Sequence, residues 1–212
     1  MKTIFQCLML LMLFASCLVS ADVQVVMKTN LGDITLALDE ENAPVTVANF
    51  LTYVDDDDYD ETIFHRVIAG FMVQGGGLTI DLSDTPDKGT ISNEADNGLK
   101  NLRGTIAMAR MNDIDSASRQ FFINVVDNAF LDHGPDSCTR ENEARAAEMR
   151  ARGIYKPATC RSFGYAVFGK VVNGMEIVDL IELSETRSVG SYDDVPINPV
   201  IILSVERVVS GD

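Results

Sequence analysis

The chain has no tryptophan, two histidines and four cysteines among 212 residues, and its 17 Lys and Arg are far outnumbered by 32 Asp and Glu. The scarcity of positive charge leaves a formal charge of -15 at pH 7. Such a surface repels nucleic acid and anionic lipid. It favours solubility and lets basic or neutral polypeptides approach. His65 and His133 are the only imidazoles that could join cysteine thiols around a metal, and no ligand spacing connects them, so no metal site is expected. There is no nucleophile motif to support a hydrolase. Gly75 to Gly77 lack the following Lys-Ser or Lys-Thr of a phosphate loop and read as glycines that allow close backbone approach. The acidic run Asp55 to Asp58 is contiguous, without the alternating ligands, central glycine and distal Glu of a calcium loop, and reads as a solvated turn. Neither a repeat nor a linker is present, and the length suits one domain with a substantial core.

Long apolar runs are scarce too. The one example, Ile4 to Phe14 broken only by Gln6 and Cys7, falls short of the roughly 20 residues that cross a membrane, even when extended to Val19. Lys2 precedes it, and the small residues Ala15, Ser16, Ser20 and Ala21 follow. This is the pattern of an export signal over residues 1–21, with cleavage before Asp22 leaving a mature chain of 22–212. Ala15-Ser16-Cys17 also resembles a lipoprotein processing site, so a lipid anchor at Cys17 is the alternative. Either way a periplasmic or secreted protein is expected. Cys138 and Cys160 are then the only cysteines in the body of the chain. In an oxidising compartment they most simply form one disulfide, worth on the order of 3 kcal/mol in the chain-entropy model.

Residues with period two open the body of the chain. Val23, Val25 and Met27, then Ile34, Leu36 and Leu38 beyond a turn at Asn30-Leu31-Gly32, predict a β-hairpin. Pro44 followed by Val47, Phe50, Leu51 and Val54 predicts a helix, and Met175 to Leu183 a second. Further β-prone runs at residues 63–67, 71–74, 104–108, 121–126, 165–172 and 200–208 bring the count to about eight strands. The expected fold is mainly β, a closed eight-stranded antiparallel barrel capped by two α-helices. Residues 134–162 differ in texture: Glu141 to Arg152 reads as a short charged helix, bracketed by the two cysteines. The segment reads as an insertion stapled at its base, a tolerated surface excursion, with a lid or polypeptide-contacting arm as the alternative.

The informative segment is Phe64-His65-Arg66-Val67-Ile68-Ala69-Gly70-Phe71-Met72-Val73-Gln74-Gly75-Gly76, an apolar run with one guanidinium, one amide and a glycine turn. Gly104 to Arg110 and Gln120 to Asn124 repeat the theme of aromatic, Met and small residues with isolated polar groups. Together these segments resemble the cyclophilin family of peptidyl-prolyl cis/trans isomerases, over essentially the whole chain after residue 21 except the insertion. The resemblance implies the same capped eight-stranded barrel and an isomerase that uses no cofactor. It implies that Arg66 is the catalytic arginine, with Gln74 orienting it. Phe71, Met72, Phe122 and Leu131 match the pocket for the proline ring, and Ala109, Arg110, Met111 and Gln120 the groove that holds the peptide. His65 reads as a hydrogen-bonded structural residue, because isomerisation moves no proton.

Three positions depart from the family pattern. Phe130 stands in the pocket rim where many members carry Trp, which implies weak cyclosporin binding with catalysis retained. Tyr165 stands where many have His beside the proline pocket, and Arg119 replaces a small residue, a change that bears on what flanks the proline. Pro-containing polypeptides are the expected partners of a monomer, without nucleic acid and without a membrane span. A module that only grips Pro-containing segments is the alternative to an enzyme.

Overall fold

The computed structural model describes residues 23–135, 137–153 and 163–208. The expected export signal, and Cys160 of the expected disulfide, lie outside them. β1 (Val23–Thr29) and β2 (Gly32–Leu38) form the opening hairpin. Val25, Met27, Ile34, Leu36 and Leu38 are all buried, so alternation puts one face of each strand into the core. β3 (Thr62–Ile68), β4 (Met72–Thr79), β5 (Thr105–Met108), β6 (Phe121–Asn124), β7 (Val167–Asn173) and β10 (Ile201–Arg207) complete a closed barrel in the order β1-β10-β3-β4-β6-β5-β7-β2. Every pairing is antiparallel. Closure leaves no unpaired edge in the main sheet. The eight strands expected from the sequence are therefore the eight that form the barrel.

Both predicted helices form, as α1 (Pro44–Asp55) and α3 (Met175–Glu182). Their apolar faces join the cluster that fills the barrel, through Val47, Phe50, Leu51 and Val54 from α1 and Val178 and Ile181 from α3. Phe50 sits among Tyr59, Phe168 and Phe121, with ring centroids 5.1, 5.2 and 5.9 Å away. Each fully buried side chain of this size contributes on the order of 2–3 kcal/mol. Pro44 occupies the first turn, where a missing N–H costs nothing. Ala43 cannot cap the helix, and Glu94 does so from a distant loop, accepting from the Val45 and Thr46 N–H groups at 3.1 and 2.8 Å.

Two polar features differ from the sequence reading. The acidic turn after α1 is tied down as well as solvated: Asp55 takes a two-pronged bond from Arg207 at 2.6 Å, and Lys88 pairs with Asp56 and Asp58. Arg119, expected beside the substrate, is 3 % exposed and points away into the scaffold. It donates to the carbonyls of Gly76, Pro86 and Asp58 and lies over the rings of Tyr53 and Tyr59. A buried guanidinium needs such acceptors. It fastens β4 to the loops at Asp58 and Pro86, which explains why a small residue is not equivalent there.

Two elements stand outside the barrel. α2 (Arg140–Ala151) is the charged helix of the insertion. Arg140 anchors it to Asp115 at 2.5 Å and to the Asn93 carbonyl at 2.8 Å, and stacks over Phe163. Cys138 packs at this base against Ala95, Ile114 and Phe163. The hairpin of β8 (Thr186–Val189) and β9 (Tyr192–Pro196) forms a separate two-stranded sheet beside β3. Sequence reading did not anticipate it, since Thr186 to Asp194 is polar and short.

Candidate active site

Cross-strand pairing assembles the site. Arg66 on β3 lies opposite Gln74 on β4, Gln74 opposite Phe122 on β6, and Phe122 opposite Ala107 on β5. The four residues form a row across the outside of the barrel. Their neighbours in sequence, such as Val67, Val73, Phe121 and Ile106, face the interior. A second apolar cluster grows on this outer row from Met72, Ala107, Phe122, Leu131 and Val167, with Phe71, Ala109 and Tyr165 packed against it.

That cluster encloses a cavity of about 130 Å³ lined by Arg66, Phe71, Met72, Gln74, Ala109, Arg110, Phe122, Leu131 and Tyr165. Nine of the residues singled out from the sequence thus meet on one hollow. The other three lie around it. Gln120 stands behind Gln74, Phe130 is 74 % exposed and stacks on Phe71 at 5.5 Å, and Met111 is 77 % exposed. The hollow is apolar at its floor, and two guanidiniums, Arg66 and Arg110, are among its lining residues.

Arg66 is half-exposed, and both edges of its guanidinium are engaged. Nη1 donates to Gln74 Oε1 at 3.5 Å, and Nε lies 3.7 Å from Asp194 Oδ2. The amide of Gln74 is itself oriented, because its Nε2 donates to Gln120 Oε1 at 2.9 Å and leaves the carbonyl oxygen for Arg66. Gln120 can lie there because Gly77 has no side chain: a Cβ at Gly77 would come within 2.4 Å of it. On the opposite wall, the Arg110 side chain folds back over the Tyr165 ring at 4.7 Å and donates to the Gly164 carbonyl at 3.0 Å. Tyr165 meets Phe122 edge to face at 5.7 Å, an arrangement favoured by the ring quadrupoles.

Sequence reading missed the supports of this hollow. Asn128 donates to the Phe71 carbonyl at 2.9 Å and to Asn124 at 2.7 Å; Asn124 donates to Asn101 at 3.2 Å; Asn101 donates to Asp132 next to Leu131. The three asparagines are almost wholly buried. Glu182 of α3 accepts the Gly70 N–H at 2.7 Å, fixing the turn before Phe71. Single polar side chains bonded to distant segments carry no periodic signal, and although Asn124 closes the Gln120 to Asn124 run, nothing in the sequence pattern marked this supporting role. Asp194 was unmarked for the same reason.

The cyclophilin-type peptidyl-prolyl cis-trans isomerase family model matches residues 24–207. Peptidyl-prolyl cis-trans isomerase A of Dickeya dadantii is 50% identical over 182 residues, covering 86% of this chain and 83% of that protein. Peptidyl-prolyl cis-trans isomerase B of Escherichia coli is 45% identical over 177 residues, covering 84% and 94%. Among solved structures, a cyclophilin-type peptidyl-prolyl cis-trans isomerase of Cryptosporidium parvum superposes with a TM-score of 0.63 at 23% identity, covering 90% of this chain and 99% of that one. That likeness is one of fold.

His65, beside Arg66, is 5 % exposed, and its Nδ1 has no hydrogen-bond partner among the described residues, so that one of its two ring nitrogens departs from the satisfied histidine expected. Burial pushes the imidazole down from 6.5 to about 4, against opposing pulls from the Ile63 carbonyl and Gln120. The folded protein therefore holds His65 neutral through neutral pH. Between pH 6.5 and 4 the unfolded chain binds this proton and the folded one does not, so the contribution is complete above 6.5 and is lost as pH falls through the window. About 3 kcal/mol is at stake. Denaturant unfolding at a series of pH values should show this loss in the wild type and a shallower one in His65→Gln; parallel curves would contradict it.

Proposed function

Because the chain belongs to the cyclophilin-type peptidyl-prolyl cis-trans isomerase family, we propose that it accelerates cis/trans exchange of X-Pro bonds at the cavity bounded by Arg66 and Phe122. The observation that carries this reading is the meeting of an apolar hollow with a guanidinium held by Gln74 and Asp194. The peptide bond resists rotation by roughly 18–20 kcal/mol because the nitrogen lone pair is shared with the carbonyl. Twisting the bond localises that lone pair on nitrogen. Phe71, Met72, Phe122 and Leu131 hold the ring while the acyl side turns, and an Arg66 N–H donates to the prolyl nitrogen as its basicity rises. Such a donor stabilises the twisted state more than either planar state, which is the condition for raising a rate. No bond is made or broken, and arginine needs no tuned pKa to stay charged.

The groove residues Ala109, Arg110, Met111 and Gln120 then carry the flanking peptide, with Phe130 and Tyr165 on the rim. The polypeptides served are folding chains outside the cytoplasm, for which X-Pro exchange is a slow step. The composition of residues 1–21 supports export. The placement of Cys138 at the anchored base of the insertion supports a Cys138–Cys160 disulfide there.

Replacing Arg66 by Ala should lower kcat/KM on a short X-Pro peptide by about 10²- to 10³-fold, with the far-UV spectrum unchanged and peptide binding largely kept. An Arg66→Ala protein as fast as wild type would refute the catalytic assignment, and a wild type without activity would leave a Pro-segment binding module. Intact mass of the exported protein, before and after reduction, should show a chain beginning at Asp22 with both thiols oxidised; lipid on Cys17 or two free thiols would refute that part.

A further inference from the structure

The β8–β9 hairpin lies outside the barrel, yet one of its side chains reaches Arg66. Its pairing sets Arg187 against Val195 and Val189 against Tyr192, so Asp193 and Asp194 together oppose Ser188. This is a β-bulge, a feature that bends a strand and redirects a side chain. Asp194 adopts φ +60, the left-handed conformation that costs a non-glycine residue energy and that Asp tolerates better than most. Ser188 holds the bulge by donating to Asp193 Oδ1 at 2.5 Å. The outcome of this distortion is a carboxylate 3.7 Å from Arg66 Nε, on the edge of the guanidinium away from the Gln74 contact.

From this geometry we infer that Asp194 is a positioning residue for the isomerase reaction, holding the plane of the Arg66 guanidinium in register with the proline cavity. The inference rests on the role proposed for Arg66. As a stabilising contact the pair is too exposed to matter much, with side chains 41% and 39% accessible. Its consequence is orientational. A long, half-exposed arginine otherwise samples many rotamers, and a donor that must meet a nitrogen only in the twisted state gains from being held beforehand. Gln74 on one edge and Asp194 on the other restrain the fork, and Arg66 lines the hollow. Charge alone predicts the opposite effect: removing a neighbouring carboxylate leaves the cation stronger and would speed the reaction.

The test is a double-mutant cycle in the purified protein, reading kcat and KM on an X-Pro peptide. Asp194→Asn should lower kcat about 3- to 10-fold with KM nearly unchanged, and Asp194→Glu should recover most of the loss. On an Arg66→Ala background the same Asn substitution should change nothing. Asp193→Asn, which removes the neighbouring negative charge but keeps an acceptor oxygen for Ser188 and the carboxylate at 194, should stay near the wild-type rate. An unchanged or faster Asp194→Asn, a rise in KM instead of a fall in kcat, an equal loss on the Arg66→Ala background, or an equal loss in Asp193→Asn would each overturn the inference. If Arg66→Ala itself remains fully active, the proposed function fails instead, and the two failures are distinguishable.

Discussion

Everything at the site depends on register across four neighbouring strands. Side chains alternate between the two faces of a strand, so a slip of one residue in β6 would exchange Phe121 and Phe122, driving one ring out of the barrel core and the other out of the cavity. Phe121 is wholly buried against Phe50, Tyr59 and Phe64, so the interior strongly opposes such a slip. The glycine at 76 makes this packing possible: at φ +82, a Cβ there would lie 2.7 Å from Phe121 and 2.9 Å from Tyr59. Stability and site geometry are consequently the same constraint, seen from opposite faces of one sheet.

Around that row the protein has placed polar supports of two kinds. Buried amides at Asn101, Asn124 and Asn128 fix the backbone beneath the apolar walls, where each unmet hydrogen bond would cost on the order of 1–3 kcal/mol. Half-exposed groups, Gln74, Gln120 and Asp194, restrain the guanidinium instead. The first kind sets the position of the apolar walls and the second borders the Arg66 guanidinium. A reaction without bond breaking needs little more than a placed donor and a packed floor.

What could be read from the sequence follows from what each residue signals. Barrel strands and α1 announce themselves through apolar periods, because burial of one face is what makes them fold. Arg66, Phe71, Met72 and Gln74 were readable because they lie in one long motif, and the rest of the cavity wall because the resemblance extends beyond it. Arg119 could not be placed, since an arginine beside a strand is exposed or buried according to carbonyls contributed by loops distant in sequence. The same holds for Asp194 and the asparagines, whose partners come together only when the barrel closes. Residues 186–196, polar and interrupted by a bulge, lack the clean alternation of a strand and form one through pairing with each other and packing on β3.

On the proposed function, the outer row, and not another surface of the barrel, is where an X-Pro bond is turned. A structure of the protein with a short Ala-Pro peptide tests it most directly. The ring should sit among Phe71, Met72, Phe122 and Leu131, with the prolyl nitrogen about 3 Å from an Arg66 N–H donor. Proline seated instead in the larger cavity of about 460 Å³ between Arg66, Asp84 and the β8–β9 hairpin, or on the insertion, would contradict it.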